Sequence, residues 1–368
     1  MKTYEVFLQS ELSKTFYCEK AANSLDIDVQ KKSIHHVKID IDLDNDFNVG
    51  VFLGASGGGK TTLAKQIFGN EIFDIKLNED LPIIDQFDQK YSYDERANML
   101  SGIGLTSVMT WIRPIKTLSN GQKARAESAW LMSSTKDLIV IDEWSSVVDR
   151  TVAKVMSHCV QKFARKFKKK IILLSCHNDV LDWLDPDFIV DCNKQDFIDR
   201  RLLSSDERRR KEQLEFTIRE IDKSTWKYFS KYHYLSDKLP VGKIFIYGLF
   251  HKNDQIGFQC FANYCPHKDK SKKMIYHSNR TVIHPDYAGL GLGIKLINKT
   301  SKIIYNKGFR VFGAFSSTPV FKSMTKQKDW VLRSISRDIL DRGGSSSNKN
   351  YMRTKVKMYS FEYVGGDK

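Results

Sequence analysis

The first fifty residues carry short runs in which apolar and polar side chains alternate. Tyr4–Phe7, Ser33–Ile41 and Phe47–Leu53 fit the two-residue period of strands. The pattern then changes character. Thr61–Phe68 has helical spacing, Leu81–Gln86 reads as a strand, and Asp94–Leu100 reads as a polar helix. Lys123–Met132 reads as a helix opened by Leu118-Ser-Asn-Gly-Gln122. Leu138–Glu143 and Ile171–His177 are almost wholly apolar until their ends, as strands covered on both faces are, and the helix Val152–Phe167 lies between them. Strands alternating with helices predict an α/β domain with a parallel central sheet over residues 1–195.

Residues 196–211 are charged and turn-like and read as a linker. Beyond it, residues 212–368 predict an α+β domain. Its strands are Leu214–Ile221, Lys243–Phe250, Gln255–Tyr264, Asn279–Ile283, Val311–Phe315 and Lys355–Tyr363. Its helices are Lys223–Tyr232 and Ile294–Tyr305, and a polar Gly-Gly-Ser-Ser-Ser loop occupies 343–347.

The 368 residues suit two domains with a core each. No stretch approaches the ~20 apolar residues of a membrane span, and the start, Met1-Lys-Thr-Tyr-Glu-Val, lacks a signal peptide's apolar core. The expectation is a soluble, cytoplasmic protein without membrane insertion. Cysteines 18, 159, 176, 192, 260 and 265 form no C-x-x-C pair, which suits reduced thiols. Charge divides unevenly. Residues 1–200 carry a net −3 and residues 201–368 a net +18, together the +15 of the whole chain. Such asymmetry points to a polyanionic partner, nucleic acid, for the C-terminal domain. Lysines 268, 270, 272 and 273, Arg208–Lys211 and the run Lys162–Lys170 are candidate contacts.

Two glycine turns carry the chemistry. In Val51-Phe-Leu-Gly-Ala-Ser-Gly-Gly-Gly-Lys-Thr-Thr62, residues Gly54, Gly59, Lys60 and Thr61 fit G-x-x-x-x-G-K-[ST]. Glycines let backbone amides curl around phosphate oxygens, and the helix that follows points its positive end at the same anion. Ser56, Gly57, Gly58 and Thr62 complete the expected ATP contacts. Lys60 is expected on the β- and γ-phosphates, and Thr61 on Mg²⁺.

Further motifs stand in register with this loop. Leu118-Ser-Asn-Gly-Gln122 resembles the signature of ABC-type ATPases, Ser145-Ser-Val-Val-Asp149 resembles their D-loop, His177 their switch histidine, and Gln86 their Q-loop glutamine. The resemblance covers about residues 1–195. It implies a P-loop fold in which Asp142 and Gln86 join Thr61 at Mg²⁺ and Glu143 activates the attacking water. It also implies that His177 touches the γ-phosphate, while Ser119 and Gly121 present a helix N-terminus to the ATP of an opposite subunit. A head-to-tail homodimer follows from that last role. The segment between Gln86 and Leu118 is short for a transporter subunit, and Tyr17 is a weak candidate for stacking on adenine.

Thr281-Val-Ile-His-Pro-Asp-Tyr-Ala-Gly-Leu-Gly-Leu-Gly-Ile294 resembles the acyl-CoA motif [RQ]-x-x-G-x-[GA] of GNAT acyltransferases, with Ala288 where that motif has Arg or Gln. The resemblance spans about 212–368. It implies a GNAT-like fold using acetyl-CoA or another acyl-CoA, with Gly289, Gly291 and Gly293 at the pyrophosphate and Val282, Ile283 and Tyr287 along the pantetheine arm. The late Asn…Tyr pair of that family falls on Thr318 and Thr325, so its tyrosine acid is missing. His233-Tyr234 is similar to the His-Tyr of Mom-type phage DNA-modifying acyltransferases, which makes His233 the candidate base. The whole chain is similar to phage and prophage fusions of an ABC-type ATPase with such a domain. Ser316-Ser-Thr-Pro319 is a lesser candidate for donors in the cleft. Three functions compete: an ATP-coupled N-acyltransferase acting on nucleic acid, a transporter ATPase with a regulatory C-terminal domain, and an ATP-gated nucleic-acid clamp with an inactive acyltransferase fold.

Overall fold

The computed structural model describes residues 1–10, 15–24, 33–43, 46–69, 77–203, 214–233, 238–263, 274–339 and 356–365. Tyr234, Arg208–Lys211, the lysines at 268–273 and the 343–347 loop lie outside the described residues. The chain is a mixed α/β protein of two compact units: residues 1–80 with 115–212, and residues 81–114 with 213–368.

The first unit opens with β1 (Lys2–Ser10), α1 (Phe16–Ser24) and β2 (Ser33–Ile41); β1 and β2 form an antiparallel pair. On β2 the alternation is plain: Val37, Ile39 and Ile41 are buried, while Lys38 and Asp40 are exposed. Next come β3 (Val49–Leu53) and α2 (Lys60–Phe68). After the excursion into the second unit, which contains α3 (Tyr93–Gly102) and α4 (Val108–Trp111), the chain returns as α5 (Asn120–Ser133), β4 (Leu138–Ile141) and α6 (Arg150–Phe167). It continues through β5 (Lys170–Ser175), α7 (Leu181–Leu184), β6 (Phe188–Asp191) and β7 (Asp196–Asp199). The sheet order is β4-β5-β3-β6-β7, parallel except for β7. All five residues of β3 are buried. A Cβ at Gly50 would stand 2.2 Å from the Phe188 ring, so only glycine lets β6 pack its phenylalanine there. Because β5 separates β3 from β4, the loop after β3 and the carboxylates after β4 leave the same sheet edge, where α/β sheets carry their sites.

Two expectations fail here. Leu81–Gln86 is no strand. It is a tight turn over Ile83–Asp85, started by Pro82, whose missing N–H could not serve a central ladder. Residues 196–203 are no free linker. Asp196–Asp199 pairs with β6, and the following turn is pinned by Arg201–Asp199 at 2.6 Å and Arg200–Asp185 at 3.7 Å. The charge density marks paired ions at a sheet edge, not solvated chain.

In the second unit the order of elements is β8 (Phe216–Glu220), α8 (Trp226–Phe229), β9 (Ile244–His251), β10 (Asp254–Ala262), β11 (Ile275–Ile283), α9 (Leu292–Asn306), β12 (Arg310–Phe315), α10 (Thr318–Met324), β13 (Trp330–Ile339) and β14 (Val356–Tyr363). The sheet runs β13-β14-β12-β11-β10-β9-β8, and only β11–β12 is parallel. The expected helix Lys223–Tyr232 is broken into a turn at 223–225, the single turn α8, and another turn at 230–232. Burying Trp226 and Phe229 against Phe258 fixes it there. Strand β13 had no clear sequence signal: two register shifts against β14 break its alternation, and Val331 and Ile335 are exposed.

Candidate functional sites

The loop from β3 to α2 is shaped for an anion. Gly57 and Gly59 take left-handed backbone (φ 76° and 87°), which costs glycine no steric strain. A Cβ at Gly54 would lie 3.1 Å from the Cys192 Cβ, and one at Gly58 would lie 3.0 Å from the Ala55 carbonyl oxygen. Lys60 Nζ donates to the carbonyls of Gly54 and Ala55, both at 2.8 Å, which holds the ammonium over the loop. Asn193, absent from the sequence reading, takes the Ala55 N–H at 3.0 Å and braces the loop from the turn after β6.

The carboxylates after β4 arrive beside this loop. Thr61 Oγ1 donates to Asp142 Oδ2 at 2.8 Å, and Asp142 Oδ1 accepts the Glu143 N–H at 2.8 Å. A hydroxyl and a carboxylate side by side at a phosphate cradle are oxygen donors that suit Mg²⁺, which prefers a few protein oxygens plus phosphate and water. Trp144 is buried and donates its backbone N–H to Leu174 at 2.7 Å, leaving Glu143 exposed in left-handed backbone (φ 50°). His177 follows β5 and donates its backbone N–H to Ser175 Oγ at 3.1 Å.

Arg150 links these loops. Its Nε donates to Asp179 Oδ2 at 2.9 Å and its NH1 to the Ser145 carbonyl at 3.3 Å, tying the loop of Ser145 to that of His177. The hydrogen bond and charge of Arg150 hold Asp179 below the usual carboxylate range. Asp149 caps α6, accepting from Thr151 and Val152 at 2.9 and 3.0 Å. Ser119 caps α5 in a reciprocal box with Gln122 and is exposed. Gly121 has a packing reason of its own: a Cβ there would press Val152 at 3.3 Å. Gln86 belongs to the second unit, and its side-chain amide donates to the carbonyls of Leu81 and Pro82 at 3.1 and 3.5 Å.

The second site lies where β11 leaves its neighbour. The two parallel strands pair from Ile275↔Arg310 only as far as Ser278↔Gly313. Against β10 the β11 register shifts between Cys260 and Phe261, skipping Asn279. Residues 280–283 therefore keep their ladder to β10, and among the described residues they have none toward β12. The strand runs into the second glycine turn. Gly289 and Gly291 are left-handed (φ 97° and 71°), and Gly291 caps α9 without a side-chain bond. Among the described residues no backbone carbonyl takes the amides of Gly289, Leu290 or Gly291. A Cβ at Gly291 would meet nothing within 4 Å, so the turn opens outward. A glycine turn with available amides on the first turn of a 15-residue helix suits a pyrophosphate.

No protein-family profile matches the sequence. Over 105 residues it is 32% identical to the "Probable ATP-binding cassette sub-family F member 3 homolog" of Encephalitozoon cuniculi, across 26% of this chain and 18% of that protein. Part of the chain is thus similar to an ATP-binding cassette protein. The match spans less than a fifth of that relative's length. Among solved structures, a dimeric bacterial ABC transporter cassette aligns at 13% identity and TM-score 0.34, over 50% of this chain and 94% of its own. A GNAT family acetyltransferase from Elizabethkingia anophelis with acetyl-CoA bound aligns at 10% identity and TM-score 0.28, over 40% of this chain and 97% of its own. The IAA acetyltransferase of Bacillus cereus aligns at 11% and 0.27, over 40% and 99%.

His233 sits at the end of the turn after α8, its ring edge-on to Trp226 at 5.7 Å. Burial, and secondarily the nearby Arg280 guanidinium, push it down to about 4, so it is neutral at pH 7. No group of three or more His, Cys, Asp or Glu able to hold a metal occurs among the described residues, around His233 included. Thr325 ends α10 with its hydroxyl on the Lys322 carbonyl at 3.1 Å. Sequence reasoning missed a neighbouring pair. His284 Nε2 and Tyr232 Oη are 3.1 Å apart, and His284 Nδ1 accepts the Asp286 N–H at 3.4 Å, capping the turn that leads to Ala288. The signal was the His-Pro that interrupts the motif after its strand. Among the described residues no helix is long and apolar enough to cross a membrane.

Proposed function

We propose that this chain is an ATP-hydrolysing N-acyltransferase that acts on nucleic acid. In the first unit the P-loop amides and Lys60 would hold the phosphates of ATP, and Thr61 and Asp142 would hold Mg²⁺, which neutralises phosphate charge when bound. Glu143 and His177 would place the water that attacks the γ-phosphorus, giving ADP and phosphate; such chemistry is mostly positioning and charge neutralisation. Exposed Ser119 at the start of α5 would meet the ATP of a second copy, so the active form is a homodimer. In the second unit the glycine turn would hold the pyrophosphate of acyl-CoA, and the edge of β11 over Arg280–Ile283 would pair with the amides of its arm, as added strands pair with a sheet edge.

The carrying observation for the transferase is that β11 loses its ladder to β12 at Ser278 and then runs into a turn whose Gly289–Gly291 amides no backbone carbonyl takes among the described residues. In the transfer, an amine nitrogen attacks the thioester carbonyl, a C–N bond forms and the C–S bond breaks. His233, neutral and close to Arg280 at the bulge, would take the amine's proton, and the leaving thiolate would take a proton to become a thiol. Lys295, Lys299 and Lys302, spaced by four and three residues on the exposed side of α9, add a basic stripe to the charged second unit and favour a phosphate backbone as partner. The sequence resemblance of His233-Tyr234 and of the whole chain to phage Mom-type fusions supports an exocyclic amine of a base as the acceptor.

The test is transfer of label from acetyl-CoA to DNA or RNA by the full chain, with Gly291→Glu as control. Labelled nucleosides from wild type alone are the expected result. Unlabelled nucleic acid alongside labelled protein would remove the nucleic-acid acceptor, and no transfer at all would leave an ATPase with an inactive second unit.

A further inference from the structure

The β-bulge on β11 decides which way Arg280 faces. Gln259 on β10 is fully buried; its Nε2 donates to Ser278 Oγ at 3.1 Å and its Oε1 accepts the Thr281 hydroxyl at 2.6 Å. Two β11 side chains three residues apart thus meet one glutamine. In a regular strand they would lie on opposite faces of the sheet; the extra residue, Asn279, brings them to the same face. Arg280 pairs in register with Cys260 and so shares the other face, where Cys260 packs with Trp226 and Phe229. Its charge acts there on both Cys260 and His233.

The Arg280 guanidinium is half-buried and poorly bonded. Nη1 donates to the Asn279 carbonyl at 3.5 Å and Nη2 to the Lys238 carbonyl at 3.3 Å, both long, and Nε is buried with no hydrogen-bond partner. Among the described residues no carboxylate pairs with it, whereas Arg310 and Arg333 in the same sheet both reach Glu362, at 2.8 and 2.7 Å. A cation drawn out of water without a counter-charge is costly, and an anion that reached it would offset that cost. The planar fork of a guanidinium suits the oxygens of a phosphate or carboxylate. The surrounding chain favours phosphate: Lys227, Lys231 and Lys238 are exposed on the segment around His233, and repeated cations suit the repeated charges of a polynucleotide backbone.

We propose that Arg280 binds a phosphate of the acceptor strand, next to the nucleotide presented to His233. That the phosphate belongs to an acceptor rests on the acyltransferase reading above; that Arg280 receives a phosphate does not. Phosphate contacts set register without reading sequence. A phosphate held at Arg280 would fix the distance from the strand's backbone to the imidazole, so that the amine of the adjoining base arrives at the base catalyst. The bulge, stapled by buried Gln259, gives this seat a fixed position.

The first test needs no catalysis. Dimethyl phosphate, a phosphodiester monoanion, is added to the full chain against chloride at equal ionic strength, and the His233 ring resonances are followed by NMR. The probe is local, so phosphate held at the P-loop does not enter the readout. The His233 resonances are expected to shift progressively and its titration midpoint to rise, because a bound anion offsets the Arg280 charge. Arg280→Gln should abolish this response and Arg280→Lys should keep a weaker one. An unresponsive His233 in wild type, or a response that persists in Arg280→Gln, overturns the phosphate seat.

The second test separates a strand phosphate from a free one. Transfer of label from acetyl-CoA is measured to a single-stranded DNA oligonucleotide of mixed sequence and to the same oligonucleotide with uncharged methylphosphonate linkages. Arg280→Gln is expected to raise KM for the phosphodiester strand about tenfold or more, with KM for acetyl-CoA unchanged and partial recovery in Arg280→Lys. With the uncharged strand, wild type and Arg280→Gln should not differ. A phosphodiester KM equal in wild type and Arg280→Gln overturns Arg280 as an acceptor contact. Absence of transfer by wild type, with the His233 response present, overturns the acyltransferase reading and the acceptor clause with it, while the phosphate seat stands.

Discussion

Thr61 and Asp142 lie 81 positions apart in the chain, yet the threonine hydroxyl donates to the carboxylate across 2.8 Å. Thr61 lies in the first turn of α2, and Asp142 directly follows β4, two places from β3 in the sheet. On the proposed reading the pair joins the ATP cradle to the charged groups that would act on the nucleotide. Asp142→Asn keeps the shape but removes the charge proposed to hold Mg²⁺. It is expected to lower ATP hydrolysis by ~10²–10³, measured as phosphate release with saturating ATP and Mg²⁺. Glu143→Gln should cut hydrolysis similarly while ATP still binds. The variant should accumulate as an ATP-bound dimer in light scattering; a monomer at saturating ATP would count against the homodimer.

Gly291 tests the second cradle. Its φ of 71° disfavours any side chain, and a glutamate there would bring negative charge to the phosphate position. Gly291→Glu is expected to abolish acetyl-CoA binding in calorimetry and to leave ATP hydrolysis without acetyl-CoA unchanged. Retained binding would refute the turn as the carrier site.

His233 predicts an unusual pH profile. With the imidazole pushed down to about 4 from the usual 6.5, acyl transfer should rise with pH through about 4 and show no limb near 6.5. The same shift acts on stability. Between about 4 and 6.5 the unfolded chain binds the extra proton, so the contribution is complete above 6.5 and is lost as pH falls toward 4. Arg280→Gln, which removes the secondary cause, should move the His233 titration upward in a histidine NMR experiment; an unmoved titration would show that burial alone sets it.

Tyr232 and His284 divide binding from chemistry. Their hydrogen bond at 3.1 Å steadies the corner between β11 and the glycine turn. Tyr232→Phe is therefore expected to raise KM for acyl-CoA several-fold with kcat near wild type. A collapse of kcat at unchanged KM would instead make Tyr232 a proton donor.

Salt dependence tests the polyanion. If Lys295, Lys299 and Lys302 each neutralise a phosphate, replacing all three with glutamine should reduce the slope of log affinity against log salt for DNA by ~3, at about one per contact. An unchanged slope would place the nucleic acid elsewhere on the protein.

The sequence alone settled what depends on neighbours in the chain. Left-handed glycines at fixed spacing, a capping serine before α5, buried apolar strands and the charge divide are local facts, because backbone dihedrals and side-chain period act over a few residues. Only the tertiary structure decided which distant segments share a body. It moved residues 81–114, Gln86 included, into the second unit, and turned the charged stretch after residue 195 into a paired sheet edge. It parted β11 from β12 at Ser278, set Gly104 on the Ala288 peptide, and brought Arg150 to Asp179 and Tyr232 to His284. The physical reason is that these relationships arise from long-range pairing and close packing. Their energies depend on which partner arrives, and nothing in the local pattern of either segment names the other.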